Sequence, residues 1–150
     1  EDLINTYKII ASKPNELIGL LQTLQEEYHA LENKAEEKKE YYYQKRELYN
    51  TRNEEKSRQA ALFIFLNRTC FNGLYRVNRS NAFNVPMGSY KKPTICDSSN
   101  ILAVSDALQK VEILCGDYEA TINKTTDNSF FYFDPPYKPL SNTSSFNSYA

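Results

Sequence analysis

Phe130-Phe131-Tyr132-Phe133 runs without a break into Asp134-Pro135-Pro136-Tyr137, and few local sequences restrict a chain as much. Four bulky, flat side chains suit a pleated surface, Asn128-Ser129 opens the run, and the proline pair ends any hydrogen-bonded ladder. A short buried strand is therefore expected, with Asp134 at its carboxyl end, where ligands bind in open α/β sheets. Read alone, the same residues also describe a strand that simply stops in a proline-rich turn.

Asp-Pro-Pro-Tyr at a strand end has a definite chemistry. The exocyclic amine of adenine is a poor nucleophile because its lone pair is delocalised into the ring. An Asp134 carboxylate and the carbonyl of Pro135 can accept its two N–H bonds and turn the lone pair towards an electrophilic methyl group. Prolines at 135 and 136 stiffen the backbone so that the carbonyl is aimed beforehand. Tyr137 supplies a flat face for the base.

Composition narrows the alternatives. The 150 residues, 41% hydrophobic and 25% charged, can bury one ordinary core. The chain opens on Glu1-Asp2 and no apolar run approaches about 18 residues, so no signal peptide, membrane span or membrane partner is expected, and the expected location is cytoplasmic. Cys70, Cys96 and Cys115 lack CxxC spacing and His29 is the sole histidine, which argues against a zinc site, a disulfide framework or a histidine-dependent nucleophile. No metal is expected.

Charge is unevenly spread. Lys56, Arg58, Arg68, Arg76, Arg79, Lys91 and Lys92 make 56–96 a block of +7 without one Asp or Glu, in a chain of net charge −1. Such a block is the footprint of a polyanion contact, the plainer alternative being a solvated basic face.

The first half reads as helices. Leu3, Ile4, Tyr7 and Ile10 have helical spacing up to Lys13-Pro14, and Pro14 suits a first helical position. Leu17, Ile18, Leu21, Leu24, Tyr28 and Leu31 then form one apolar stripe. Residues 32–40 are highly charged, and a tyrosine-rich helical pattern resumes from Tyr41 to Tyr49, read as a packed face more readily than as a stacking platform. Residues 54–67, apolar on most sides, are expected as a helix buried between others.

After Arg68 the pattern changes. Residues 69–93 interleave asparagine, glycine, arginine and aromatics, with Arg79-Ser80-Asn81 as the expected tip of a β-hairpin between 74–78 and 82–85. Arginine on such a hairpin suits bidentate reading of guanine O6 and N7, and neighbouring aromatics can wedge between bases. Asp97-Ser98-Ser99 should cap a helix to about Lys110, with Ile101, Leu102, Val104 and Leu108 inward. A strand over 111–115, a helix to about Thr125 and the aromatic strand complete one expected βαβ crossover, which would set Asp117 beside Asp134 at two strand ends. Two exposed loop aspartates are the alternative.

Taken in order, Asn72-Gly73-Leu74-Tyr75-Arg76-Val77-Asn78, Phe83-Asn84-Val85-Pro86-Met87-Gly88 with Tyr90-Lys91-Lys92-Pro93, Cys115-Gly116-Asp117-Tyr118, and Asp134-Pro135-Pro136-Tyr137 with Pro139-Leu140-Ser141 resemble the Dam family of adenine-specific DNA methyltransferases, D12 class. The resemblance implies an α/β, Rossmann-like S-adenosylmethionine-dependent fold with an inserted, mainly helical target-recognition domain and β-hairpin. On that pattern 1–33 is a helical part of the catalytic domain, 34–95 the target-recognition domain, and 96–150 a catalytic βαβ segment. It further implies double-stranded DNA as partner, methylation of adenine N6, GATC as target, base flipping and a monomer. Asp134, Pro135, Pro136 and Tyr137 would be catalytic, and Asp117, Tyr118 and Asp134 would hold the cofactor. Arg76 would read the guanine, with Leu74, Pro86 and Tyr90 nearby. Phe71 and Asn72 would fill or flank the gap left by the flipped adenine, and Asn78, Arg79, Lys91 and Lys92 complete the expected DNA contacts.

The family's glycine-rich cofactor loop is not found among Gly19, Gly73, Gly88 and Gly116. The chain therefore resembles the middle of such an enzyme and is expected to be inactive alone, the competing expectation being a non-catalytic DNA-binding fragment.

Overall fold

The computed structural model describes residues 1–117, 119, 121 and 124–134. The chain forms two compact units, Glu1–Cys115 and Gly116–Ala150. Five α-helices build the first: α1 Asp2–Ser12, α2 Pro14–His29, α3 Ala35–Thr51, α4 Lys56–Thr69 and α5 Ser98–Leu108, with a 3-10 turn at Phe71–Gly73.

Local chemistry accounts for the boundaries. Pro14 lacks the N–H that α1 would need and starts α2 with its fixed φ. Helix α3 begins at Ala35, not near Tyr41: the charged segment supplies its first turns, with Glu36 and Glu37 at the positive end of the helix dipole. Asp97 Oδ1 accepts the Asn100 N–H at 3.0 Å and caps α5. Those two hydrogen-bonded contacts, Asn100 N–H first and the Ser99 hydroxyl second, hold the Asp97 carboxyl below its usual range.

Helix α4 is the centre, packed upon by α1, α2 and α3, as expected of a helix apolar on most sides. Ala60, Ala61, Leu62, Phe65 and Leu66 are all buried. Leu17, Leu21, Leu24 and Tyr28 of α2, Tyr42 and Tyr49 of α3, and Ile9 and Ile10 of α1 close around it. The tyrosines of α3 are thus core. In α5 Ile101 is buried and Val104 and Leu108 pack against the core as expected, but Leu102 is exposed and Ser105 is buried; in α1 Ile10 is buried, Leu3 and Tyr7 are exposed and Thr6 is buried.

The α/β expectation does not hold. Among the described residues there are helices but no strand, and the only β pairing is two isolated bridges, Cys70 with Met87 and Val77 with Phe83. A strand is defined by partners for its lateral N–H and C=O groups, and neither 111–115 nor 129–134 forms such a ladder among the described residues. The aromatic run is instead open to solvent, Phe130 at 90% and Tyr132 at 81%. Within it the Phe131 and Phe133 rings stack 5.9 Å apart, the same-side relation of an extended chain. The helix expected up to Thr125 falls partly outside the described residues.

Buried phenols carry a testable consequence. Burial pushes Tyr28 up to about 12 from its ordinary 10 and also raises Tyr41, Tyr42 and Tyr49. Above pH 10 the unfolded chain sheds protons that the folded chain keeps, so stability falls as pH rises, by about 1.4 kcal/mol per pH unit for each such phenol. Helicity should collapse cooperatively on titration above pH 10, together with the rise in phenolate absorbance. Phenolate absorbance that reaches its full twelve-tyrosine value near pH 10 with circular dichroism unchanged would contradict it.

Candidate nucleic-acid interface

Residues 71–96 leave the end of α4 and are fastened along α2 and α3 by their main chain. Gly88 N–H donates to the Thr69 carbonyl at 2.8 Å and Phe71 N–H to the Pro86 carbonyl at 2.9 Å. The half-buried Asn50 side chain acts as a surrogate strand, donating to the Phe83 carbonyl at 3.1 Å and accepting the Phe83 N–H at 2.8 Å. The Tyr42 hydroxyl donates to the Val85 carbonyl at 2.9 Å. Lys38, buried and 4.6 Å from the Tyr28 ring centroid, donates to the carbonyls of Tyr90 and Lys91 at 3.2 and 2.7 Å. Burial lowers the Lys38 pKa, with Glu32 partly offsetting it. His29 Nε2 donates to the Pro93 carbonyl at 2.9 Å, and Gln25 Oε1 accepts from Ile95 and Cys96 at 2.9 and 3.1 Å.

The expected hairpin is reduced to one antiparallel bridge and not a pair of strands. Asn78 N–H donates to the Ala82 carbonyl at 2.9 Å and Asn84 N–H to the Arg76 carbonyl at 3.2 Å on either side of Val77 and Phe83, while Asn50 takes the N–H and C=O that Phe83 turns away from that bridge. The tip turns at 79–81 with Asn81 at φ 57°, and Asn78 Oδ1 accepts the N–H groups of Ser80 and Ala82 at 2.9 and 3.0 Å. Asn78 therefore commits its acceptor to the turn. Arg52 reaches the tip from the end of α3, its guanidinium paired with Asp2 at 2.6 Å, 4.1 Å from the Tyr49 ring centroid and donating to the Asn81 carbonyl at 3.3 Å.

Opposite these fixtures lie the residues expected to meet DNA. Phe71, Asn72, Leu74, Arg76, Asn78, Arg79, Pro86, Tyr90, Lys91 and Lys92 are all exposed. Asn72 sits at φ 53°, a conformation that non-glycine residues adopt rarely and that clusters where chains bind ligands. Gly88 has a spatial reason: a Cβ there would come within 2.7 Å of the Cys70 carbonyl oxygen and 2.6 Å of the Tyr90 ring. Burial raises the Cys70 thiol pKa, so that cysteine behaves as a core group.

Compared with known proteins, residues 1–150 match the family described as D12 class N6 adenine-specific DNA methyltransferase. The chain belongs to that family. It is 47% identical over 152 residues to the Type II methyltransferase M.MjaIII of Methanocaldococcus jannaschii, an alignment covering 100% of this chain and 52% of that protein. Identity to the Type II methyltransferase M1.LlaDCHI of Lactococcus lactis subsp. cremoris is 41% over 154 residues, covering 99% and 51%. For the DNA adenine methylase of Escherichia coli K12 it is 36% over 148 residues, covering 99% and 50%. The chain spans about half the length of these relatives.

In this D12 class chain Asp117 and Asp134 both belong to the second unit and both are exposed. Asp117 Oδ1 accepts the Glu119 N–H at 3.0 Å. The two strand ends expected to bring them side by side are absent among the described residues, and Tyr118, Pro135, Pro136 and Tyr137 lie outside those residues. Exposed carboxylates are acceptors suited to the amino and hydroxyl groups of a nucleoside-containing methyl donor, so this part of the donor set fits. No helix among the described residues is long and apolar enough to cross a membrane. Lys38, Asn50, His29 and Gln25 hold the loop and Asn84 holds Arg76, though none is a candidate site residue in the sequence; the signal for two of them is the four-residue row of α3 that Lys38, Tyr42 and Asn50 share.

Proposed function

We propose that the protein containing this chain transfers a methyl group from S-adenosylmethionine to N6 of an adenine turned out of duplex DNA, with GATC as the target. Residues 34–95 carry target recognition and Asp134-Pro135-Pro136-Tyr137 the chemistry. The observation that carries this reading is the 71–93 loop, whose ten candidate contacts face solvent while its main chain is fastened to buried helices. Membership of the D12 class supports adenine N6 as the acceptor. The protein works as a monomer in the cytoplasm.

A bound donor would supply an electrophilic methyl group on a sulfonium sulfur, and Asp117, Tyr118 and Asp134 would hold that donor. The Asp134 carboxylate and the Pro135 carbonyl would accept hydrogen bonds from the two N–H groups of the adenine amine, drawing nitrogen towards tetrahedral geometry; as the new carbon–nitrogen bond forms, the methyl–sulfur bond breaks, the thioether leaves neutral, and the amine gives up one proton to solvent. Tyr137 stacks on the base. Phe71 and Asn72 fill the space it vacates, and Arg76 reads a guanine bidentately. DNA binding without catalysis is the second reading, favoured by the core that Glu1–Cys115 builds for itself.

Methylation of duplexes carrying single-base changes tests the assignment. Arg76→Ala is expected to lower discrimination at one base pair by about 1–3 kcal/mol. Lys91→Ala should weaken binding to every sequence alike and reduce the salt dependence by the share of about one phosphate contact. Unchanged site preference in Arg76→Ala would overturn the reading of the loop. Duplex binding without any methyl transfer by the full-length protein would favour the second reading.

A further inference from the structure

We infer that Asn84 is a positioning residue for Arg76, gripping one edge of the guanidinium so that the other edge is presented to a base pair; this rests on the base-reading role given to Arg76 above. Arg76 Nε donates to Asn84 Oδ1 at 2.8 Å and Arg76 Nη2 to the Asn84 carbonyl at 3.4 Å. Across the loop the Asn84 N–H returns a bond to the Arg76 carbonyl at 3.2 Å.

A guanidinium has five donors in a planar fork. Asn84 takes those on the Nε–Nη2 side. The end formed by Nη1 and the second Nη2 hydrogen is the pair that matches guanine O6 and N7. The grip is itself fixed, because the flanking Phe83 and Val85 are buried and their backbones are held by Asn50 and Tyr42. Arg76 is exposed, so the contact is not core packing. A surface arginine without such a support must order its long side chain when it binds, and here the fold has ordered it already. The acceptor is also neutral. Among the described residues Arg76 makes no ion pair, so the guanidinium keeps its charge for an acceptor-rich base edge.

The test uses the full-length protein and kcat/KM on the preferred duplex and its single-base variants, for Arg76→Ala, Asn84→Ala, Asn84→Leu, Asn84→Asp and the Arg76→Ala/Asn84→Ala pair. Asn84→Ala and Asn84→Leu should lower preference about tenfold at the same base pair that Arg76→Ala affects. The double variant should lose nothing further. Asn84→Asp retains the acceptor and should restore preference, with a uniform loss of affinity from its added charge. Preference kept by Asn84→Ala while Arg76→Ala loses it, or a loss spread equally over all base pairs, overturns the inference. Preference kept by Arg76→Ala overturns the reading beneath it instead.

Discussion

Asp134→Ala in the full-length protein is expected to slow single-turnover methyl transfer by about 10²–10³-fold, the usual effect of removing one preorganised electrostatic partner from a reacting centre. Asp134 is exposed, so its loss leaves no buried hole and no stranded charge. Equilibrium binding of the same duplex should scarcely change, since on the proposed function the cationic 56–96 segment would supply the phosphate contacts that dominate affinity. A duplex with a mismatched target adenine should bind tighter to wild type and variant alike, since an unpaired base is less costly to extrude. Transfer that survives while binding collapses would make Asp134 a structural residue and remove the chemistry from the Asp-Pro-Pro-Tyr motif.

Phe65→Ala should destabilise the first unit by about 3–5 kcal/mol, a large fraction of the 5–15 kcal/mol that holds a typical domain. Phe65 is fully buried in the middle of α4. Its ring meets Tyr28 edge-on at 5.5 Å and 83°, Tyr41 at 5.8 Å and 78°, and Tyr42 at 6.4 Å. Truncation therefore removes the transfer energy of a whole ring, opens a cavity between three helices and ends three aromatic contacts at once. Urea unfolding followed by circular dichroism measures the loss. Phe71→Ala, at an exposed ring, is the internal comparison and should move the midpoint little. Equal shifts for the two variants would show that α4 is not the centre of the core.

The helices were legible because their information is local. Leu17, Leu21, Leu24 and Tyr28 recur along one stripe, Pro14 and Asp97 mark helix starts, and the apolar girth of 54–67 announced a central helix. What failed was non-local. The 130–133 aromatics have every local property of a strand, yet a ladder depends on partners that spacing cannot specify. Leu3 and Leu102 fit an apolar stripe and still face solvent, while Ser105 and Gln109 of α5 donate to the Ala11 carbonyl of α1, a polar contact that an apolar stripe does not announce. The ten candidate DNA contacts could be chosen from residue type and family resemblance. Their supports could not: Lys38 and Asn50 look like the solvated side of a charged helix, and only the folded chain shows their head groups turned onto the 83–91 backbone.

That arrangement has a consequence for how specificity can change. Helix α3 grips carbonyls and one amide of the main chain, so the side chains that project into solvent from 71–93 can be exchanged without loosening the mount that carries them. The loop works as a type holder: letters can be swapped while the frame stays locked. Some positions of 71–93 belong to the frame: Phe83 and Val85, which are buried, Asn78, whose side chain closes the turn, Gly88, which has no room for a Cβ, and Asn84, which sets the angle of one letter. Selection for a new target sequence would therefore leave Lys38, Tyr42, Asn50 and Gly88 in place and replace Leu74, Arg76, Pro86 or Tyr90, with Asn84 changing only alongside Arg76.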